Sequence, residues 1–203
     1  SGKPIIFLHN GGNSHVIWNR QLDYFAGRYT CYAFDLPGYG MSANPDARFS
    51  LKLYTNFLDE FITRKKLAPV TLVGNCIGSA TALTCAMQKP ENVDKLILFN
   101  ILTRATVWKG LYGTFFKLTG PVPSLRTRLR KWFGNWVPPR FVGAFSVNTQ
   151  YGTRGGRDLV LSEELKKLYR QKGQLGALID ILADIESFAP MDEFEIPKKF
   201  PRT

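Results

Sequence analysis

The chain has 203 residues, 44% of them hydrophobic and 21% charged, which suits one globular domain or one domain carrying an insertion. No apolar run approaches the ~20 residues that span a bilayer, and no signal peptide opens the sequence, so neither a membrane-spanning nor a secretory reading is favoured. Net charge is +11, and the whole excess lies between Lys95 and Arg157, a segment with 11 basic and no acidic residues.

In chain order, "KPIIFLHNGG" is predicted as a strand ending in a polar, Gly-rich turn. "SHVIWNRQLDYFAG" places Val16, Leu22 and Phe25 at roughly helical spacing, with Gly27 as a stop. "YTCYAFDLPGYGMS" is a second strand running into a Pro/Gly turn, and "LKLYTNFLDEFITRKKL" is an amphipathic helix. "VTLVGN" is a third strand, "SATALTCAMQKP" a helix of small residues stopped by Pro90, and "DKLILFNIL" a fourth strand. This alternation predicts a parallel sheet with crossover helices, its apolar strands covered on both faces.

After about residue 103 the pattern becomes helical, with Pro and Gly clusters between helices. We therefore expect an α/β core over 1–103, a helical cap inserted over 104–190, and a tail over 191–203 that leads into a further core strand. The three cysteines, Cys31, Cys76 and Cys85, show neither a disulfide framework nor metal-ligand spacing. A reducing, cytoplasmic setting is the default, and Cys31 and Cys85 are expected to be buried small hydrophobes. No metal or organic cofactor is expected.

Three motifs stand in order: "LHNGGN" after the first strand, "FDLPGYGMS" after the second and "LVGNCIGS" after the third. Together they resemble the α/β-hydrolase family, closely over residues 3 to about 103. The physical demand of its nucleophile elbow is a sharp strand-to-helix turn with small flanking residues, which Gly74 and Gly78 supply. The resemblance implies Cys76 as nucleophile, with the amides of Ile77 and Gly11 as oxyanion-hole donors, each worth roughly 3 kcal/mol in acyl transfer. Gly12, Asn75, Trp108 and Trp132 are the candidate substrate-contacting residues. A tight turn around a buried cysteine remains the alternative for the elbow. The resemblance makes His9 structural and Asp35 a turn-former, while His15 is expected at the surface or facing the cap.

Cysteine in place of the usual serine is similar to the dienelactone hydrolases, within the same fold. At a helix N-terminus its thiol is expected to have a lowered pKa and to alkylate below pH 7. The acid and histidine that the family places on later elements have no counterpart, since no histidine follows residue 15 and the end of the fourth strand carries Asn100. Two expectations compete: a fragment cut upstream of the first motif strand and downstream of the cap, or a non-catalytic relative that binds a hydrophobic or acyl ligand. In either case the 203-residue chain is expected to hydrolyse esters poorly.

The cap segment interleaves Trp108, Tyr112, Phe115, Phe116, Trp132, Phe133 and Trp136 with basic residues. Helical spacing groups Leu125, Leu129, Trp132 and Phe133 on one face, with Arg126, Arg130 and Lys131 mostly elsewhere. The simplest reading is a pocket-lining cap acting on a small-molecule acyl substrate. An anionic membrane surface, with peripheral association, and an acidic acyl carrier are the further candidate partners. No nucleic-acid motif accompanies the charge.

Overall fold

The computed structural model describes residues 2–43, 47–109, 113, 123–134, 136–141, 159–168, 170 and 172–193, without the side chains of 123–126 and 159–162. Tyr112, Phe115 and Phe116 of the expected cap, the Leu125 and Arg126 side chains, and residues from 194 onward therefore lie outside the described residues.

Four parallel strands, β1 (Pro4–Leu8), β2 (Thr30–Phe34), β3 (Val70–Asn75) and β4 (Val93–Phe99), form a sheet in the order β2-β1-β3-β4. The period-2 alternation of strands sorts their side chains onto two faces. Ile6, Leu8, Val70 and Leu72 point to one face and join Leu58 and Ile62 of α2 (Leu51–Lys65) and Ala82 and Leu83 of α3 (Ile77–Gln88) in the main core. Ile5, Phe7 and Val73 point to the other, where Trp18, Leu22 and Phe25 cover them; the last two lie on α1 (Asn19–Phe25). Helix α2 begins where Ser50 Oγ accepts the Leu53 N–H at 3.1 Å and ends at Lys66 in the left-handed region, φ 53°.

The expectation that every strand is covered on both faces fails at β4. Leu96 and Leu98 pack into the main core, but Lys95, Ile97 and Phe99 on the opposite face are exposed. The cause is that α1, the helix described on this side, packs against β2. Beside it runs an open groove of about 500 Å3 lined by Phe7, Trp18, Val73, Ile97 and Phe99.

Beyond β4 the described elements are helical: α4 (Arg104–Lys109), α5 (Pro123–Phe133), α6 (Leu159–Leu168), α7 (Gln174–Ala183) and a 3-10 segment over Ile185–Met191. Ala177, Ile181 and Leu182 of α7, with Ile185, Phe188 and Met191, belong to the same core cluster as the sheet. Polar bonds stitch these helices down. Asp180 Oδ2 accepts the buried Phe49 N–H at 3.2 Å, and Asp184 Oδ2 accepts the Leu51 N–H at 2.9 Å. Arg104 pairs with Asp192 at 3.2 Å and Glu186 at 3.4 Å. Among the described residues, no helix is long and apolar enough to cross a membrane.

Two sequence expectations about individual side chains are corrected by the packing. Cys85 is buried, but Cys31 lies partly exposed on β2, the strand at one end of the described sheet. In α5 the inward residue is Arg130, whose Nε donates to Asp180 Oδ2 at 3.0 Å, whereas Trp132 is 70% exposed. A buried carboxylate on α7 dictates that orientation, since leaving it unpaired would cost more than exposing an indole.

Candidate active site

The sharp connection from β3 to α3 centres on Cys76, with φ 55° and ψ −112°. A non-glycine residue at positive φ is strained by about 1–3 kcal/mol and persists only where its surroundings hold it. Here the Cys76 N–H donates to the Phe99 carbonyl at 3.0 Å, and its own carbonyl accepts from Ala80 at 3.0 Å and Leu102 at 3.3 Å. The flanking glycines are required sterically. A Cβ on Gly74 would sit 2.5 Å from the Ser79 nitrogen, and one on Gly78 would run into the Leu8 carbonyl.

The turn after β1 meets this elbow from the neighbouring strand. The backbone N–H groups of Ile77 and Gly11 both bond to the Cys76 thiol. One amide opens α3 and the other follows β1, and parallel pairing of Leu8 with Gly74 brings them together. The Gly11–Gly12 turn is shaped by Gly12 at φ 77° and by the Asn13 side-chain amide donating to Asn10 Oδ1 at 2.7 Å.

Burial of the Cys76 thiol is the largest influence on its titration, and the two amides offset it only in part, so its pKa lies above the ordinary value. This corrects the expectation of a lowered pKa and of alkylation below pH 7. Two neutral donors favour the thiolate less than the enclosing structure disfavours it. Burial likewise raises Cys31, and it pushes Cys85 up to about 11.

His9 is fully buried and neutral. Its Nδ1 donates to the Asn10 carbonyl at 2.8 Å, and its Nε2 accepts the Leu36 N–H at 2.8 Å. Burial lowers its pKa to about 4. The ring thus ties the β1 turn to the end of β2, a structural task. His15 faces Asp35: its ring Nδ1 lies 3.0 Å from Asp35 Oδ1, which also accepts the His15 backbone N–H at 2.6 Å. Burial would raise the Asp35 carboxyl, but the Met41 and His15 amides and the His15 ring outweigh it and hold the pKa below the usual carboxylate range. Neither histidine hydrogen-bonds to Cys76.

The candidate substrate contacts are dispersed. Asn75 Oδ1 accepts weakly from Asn100 Nδ2 at 3.5 Å, so its side chain bridges β3 to the residue after β4. Trp108 packs half-buried against the main core. Trp132 is turned outward on α5 and is 70% exposed.

Three features were not read from the sequence. The His15–Asp35 pair joins residues on two separate motifs. Tyr39 and Tyr54 are buried with their rings 6.4 Å apart, and the Tyr39 oxygen would lie 3.6 Å from a Cβ on Gly11. The polar tip of Tyr39 inside "PGYG" was the available signal. Asp180 carries none, because its partners lie 50 and 131 residues away. Among the described residues, His, Cys, Asp and Glu form no group of three that could hold a metal ion.

Comparison with known proteins agrees with this architecture. A haloalkane dehalogenase from Agrobacterium fabrum is 33% identical over 104 residues, 51% of this chain and 34% of that protein. A 2-hydroxy-6-oxo-6-(2'-aminophenyl)hexa-2,4-dienoic acid hydrolase from Metapseudomonas resinovorans is 32% identical over 101 residues, 48% of this chain and 35% of that protein. The chain thus spans about a third of the length of these curated relatives. The solved structure of an alpha/beta hydrolase fold protein from Burkholderia ambifaria superimposes with a TM-score of 0.67 at 21% identity, covering 94% of this chain and 68% of that one. The sequence model of the alpha/beta hydrolase fold matches residues 3–174, more than half of the chain, and with the parallel sheet and the strained elbow in place the chain belongs to the α/β-hydrolase family.

Proposed function

We propose that this chain is the core of a hydrolase that opens a carboxylic ester, thioester or lactone through Cys76. The observation that carries the reading is the convergence of the Gly11 and Ile77 amides on the sulfur of a backbone-strained cysteine. Donors that stabilise negative charge on a thiolate are placed to stabilise the oxyanion that forms beside it. In the step proposed, Cys76 sulfur, as thiolate, bonds to the acyl carbon and the carbonyl electron pair moves to oxygen between the two amides. Collapse of that intermediate expels the alkoxide or thiolate leaving group, and water then releases the carboxylic acid from the acyl-cysteine. The small-molecule acyl substrate is the partner this requires. The hydrolase named among the relatives supports hydrolytic chemistry at this fold without naming the bond cut here.

A second reading, a non-catalytic protein that holds an acyl or hydrophobic ligand, is favoured by one specific observation. Burial raises the Cys76 thiol, and neither histidine is bonded to it to take the proton.

Intact mass spectrometry after exposure to an activated thioester at alkaline pH separates the two. Hydrolase chemistry predicts one acyl group per chain, on Cys76, with none on the Cys76→Ser variant's other thiols. Equal acylation of Cys31, Cys76 and Cys85, or none on Cys76, sinks the nucleophile and leaves the binding role.

A further inference from the structure

Among its described side chains, helix α5 turns a polar contact inward: Arg130 is bonded to Asp180 at 3.0 Å, and Gly134 lies so close to Gly176 that a Cβ on Gly176 would be 3.1 Å from the Gly134 Cα. The turn after α5 is held the same way, with Arg170 Nε donating to the Pro138 carbonyl at 3.4 Å. The outer side carries Arg128, Lys131 and Trp132, all exposed and within one face at helical spacing. The segment that follows also exposes Trp136, Val137, Arg140 and Phe141, the last 72% exposed, and the Phe133 and Trp136 rings meet edge to face at 6.1 Å.

Aromatic side chains clustered in water, while the same helix spends an arginine inward, mark a surface that meets an apolar phase elsewhere. The charged residues beside them in the chain have one sign, since no Asp or Glu occurs between Lys95 and Arg157. Indole rings beside Lys and Arg suit the headgroup level of a bilayer, where the ring spans the polar–apolar boundary and the cations meet anionic lipid. An acidic protein would satisfy the cations, but it would need a matching apolar patch of its own to cover Trp132 and Phe141.

We propose that the outer face of α5 and the turn through Phe141 docks on an anionic lipid surface, with Trp132, Trp136 and Phe141 entering the headgroup region and Arg128, Lys131 and Arg140 facing lipid phosphates and carboxylates. This rests on the cap surface alone and stands apart from the chemistry at Cys76. It would hold the protein at a membrane without crossing it.

The test is flotation of the 203-residue chain with phosphatidylcholine vesicles, with and without phosphatidylserine. Phosphatidylserine should raise retention by about tenfold or more, and added salt should reverse the gain. The double variants Trp132→Ala/Phe141→Ala and Arg128→Ser/Lys131→Ser change only exposed side chains. Each should float less while keeping the wild-type circular dichroism and melting temperature. Three outcomes overturn the proposal: no retention on either vesicle, equal retention on both, or undiminished retention of the aromatic variant. Binding to an acidic acyl carrier protein without vesicle retention also overturns it, in favour of that partner.

Discussion

Ser79 and Phe99 exchange two hydrogen bonds: the Ser79 hydroxyl donates to the Phe99 carbonyl at 2.7 Å and accepts the Phe99 N–H at 3.1 Å. The same carbonyl accepts the Cys76 N–H, so one serine on α3 locks the end of β4 to the elbow. Ser79→Ala should therefore cost about 1–3 kcal/mol, because it leaves the Phe99 N–H without its side-chain acceptor. Urea denaturation measures the loss; an unchanged midpoint would show that water replaces the hydroxyl freely.

Gly78→Ala adds a methyl that runs into the Leu8 carbonyl. Overpacking of this kind costs about 1–3 kcal/mol, and relief would push α3 away from β1. That separates the Ile77 amide from the Gly11 amide. Thermal melting should report the destabilisation, and selective labelling of Cys76 should weaken with it. Wild-type values for both would mean that the helix does not need its close approach to the sheet.

The pKa of His9 is lowered from 6.5 to about 4 by burial, so the unfolded chain binds a proton in that window and the folded chain does not. Stability from this group is complete above pH 6.5 and is lost as pH falls through 4, by on the order of 3 kcal/mol. Asp35 and His15 face the same turn, and the depressed Asp35 carboxyl adds a further loss at still lower pH. Urea midpoints at a series of pH values should fall from pH 6.5 down to about 4 with His9, and a flat profile across that window would mean that His9 is solvated.

Alkylation by iodoacetamide should reach Cys76 slowly at neutral pH. With the folded pKa raised above its ordinary value of 9.0, the thiolate fraction grows about tenfold per pH unit up to and beyond that value. Cys85, buried where Cys76 is only partly so, should lag behind it. Peptide mapping of the rates against pH checks the order, and rapid labelling of Cys76 below pH 7 would show that the amides outweigh burial.

Asp180→Ala removes the acceptor for both the Phe49 N–H and the Arg130 guanidinium. A loss of about 1–3 kcal/mol is expected, at the scale of one buried amide left unpaired, with the half-exposed arginine able to turn to water. Proteolysis within α5 and α7 should rise in step. Equal resistance of variant and wild type would show that apolar packing of α7 against the core suffices to hold α5 and α7 in place.

What the sequence determined by itself was local: the strand–turn–helix rhythm, the glycines around Cys76, and the turn chemistry of "HNGG" and "DLPGYG". Such features follow from the backbone freedom and side-chain periodicity of neighbouring residues, which a linear reading contains. The Gly11 and Ile77 amides, which bond to the Cys76 thiol, are each positioned by a turn of a few residues in the same way. What only the tertiary structure decided depends on partners distant in the chain. Desolvation of the Cys76 thiol comes from the whole fold packed around the elbow, and it outweighs the amides that the sequence reading weighed alone. Arg130 turns inward and Trp132 outward because Asp180, 50 residues further along, waits on α7. The β4 face stays open at Ile97 and Phe99 because the helix described on that side lies elsewhere, a matter of layer placement that period-2 alternation cannot encode.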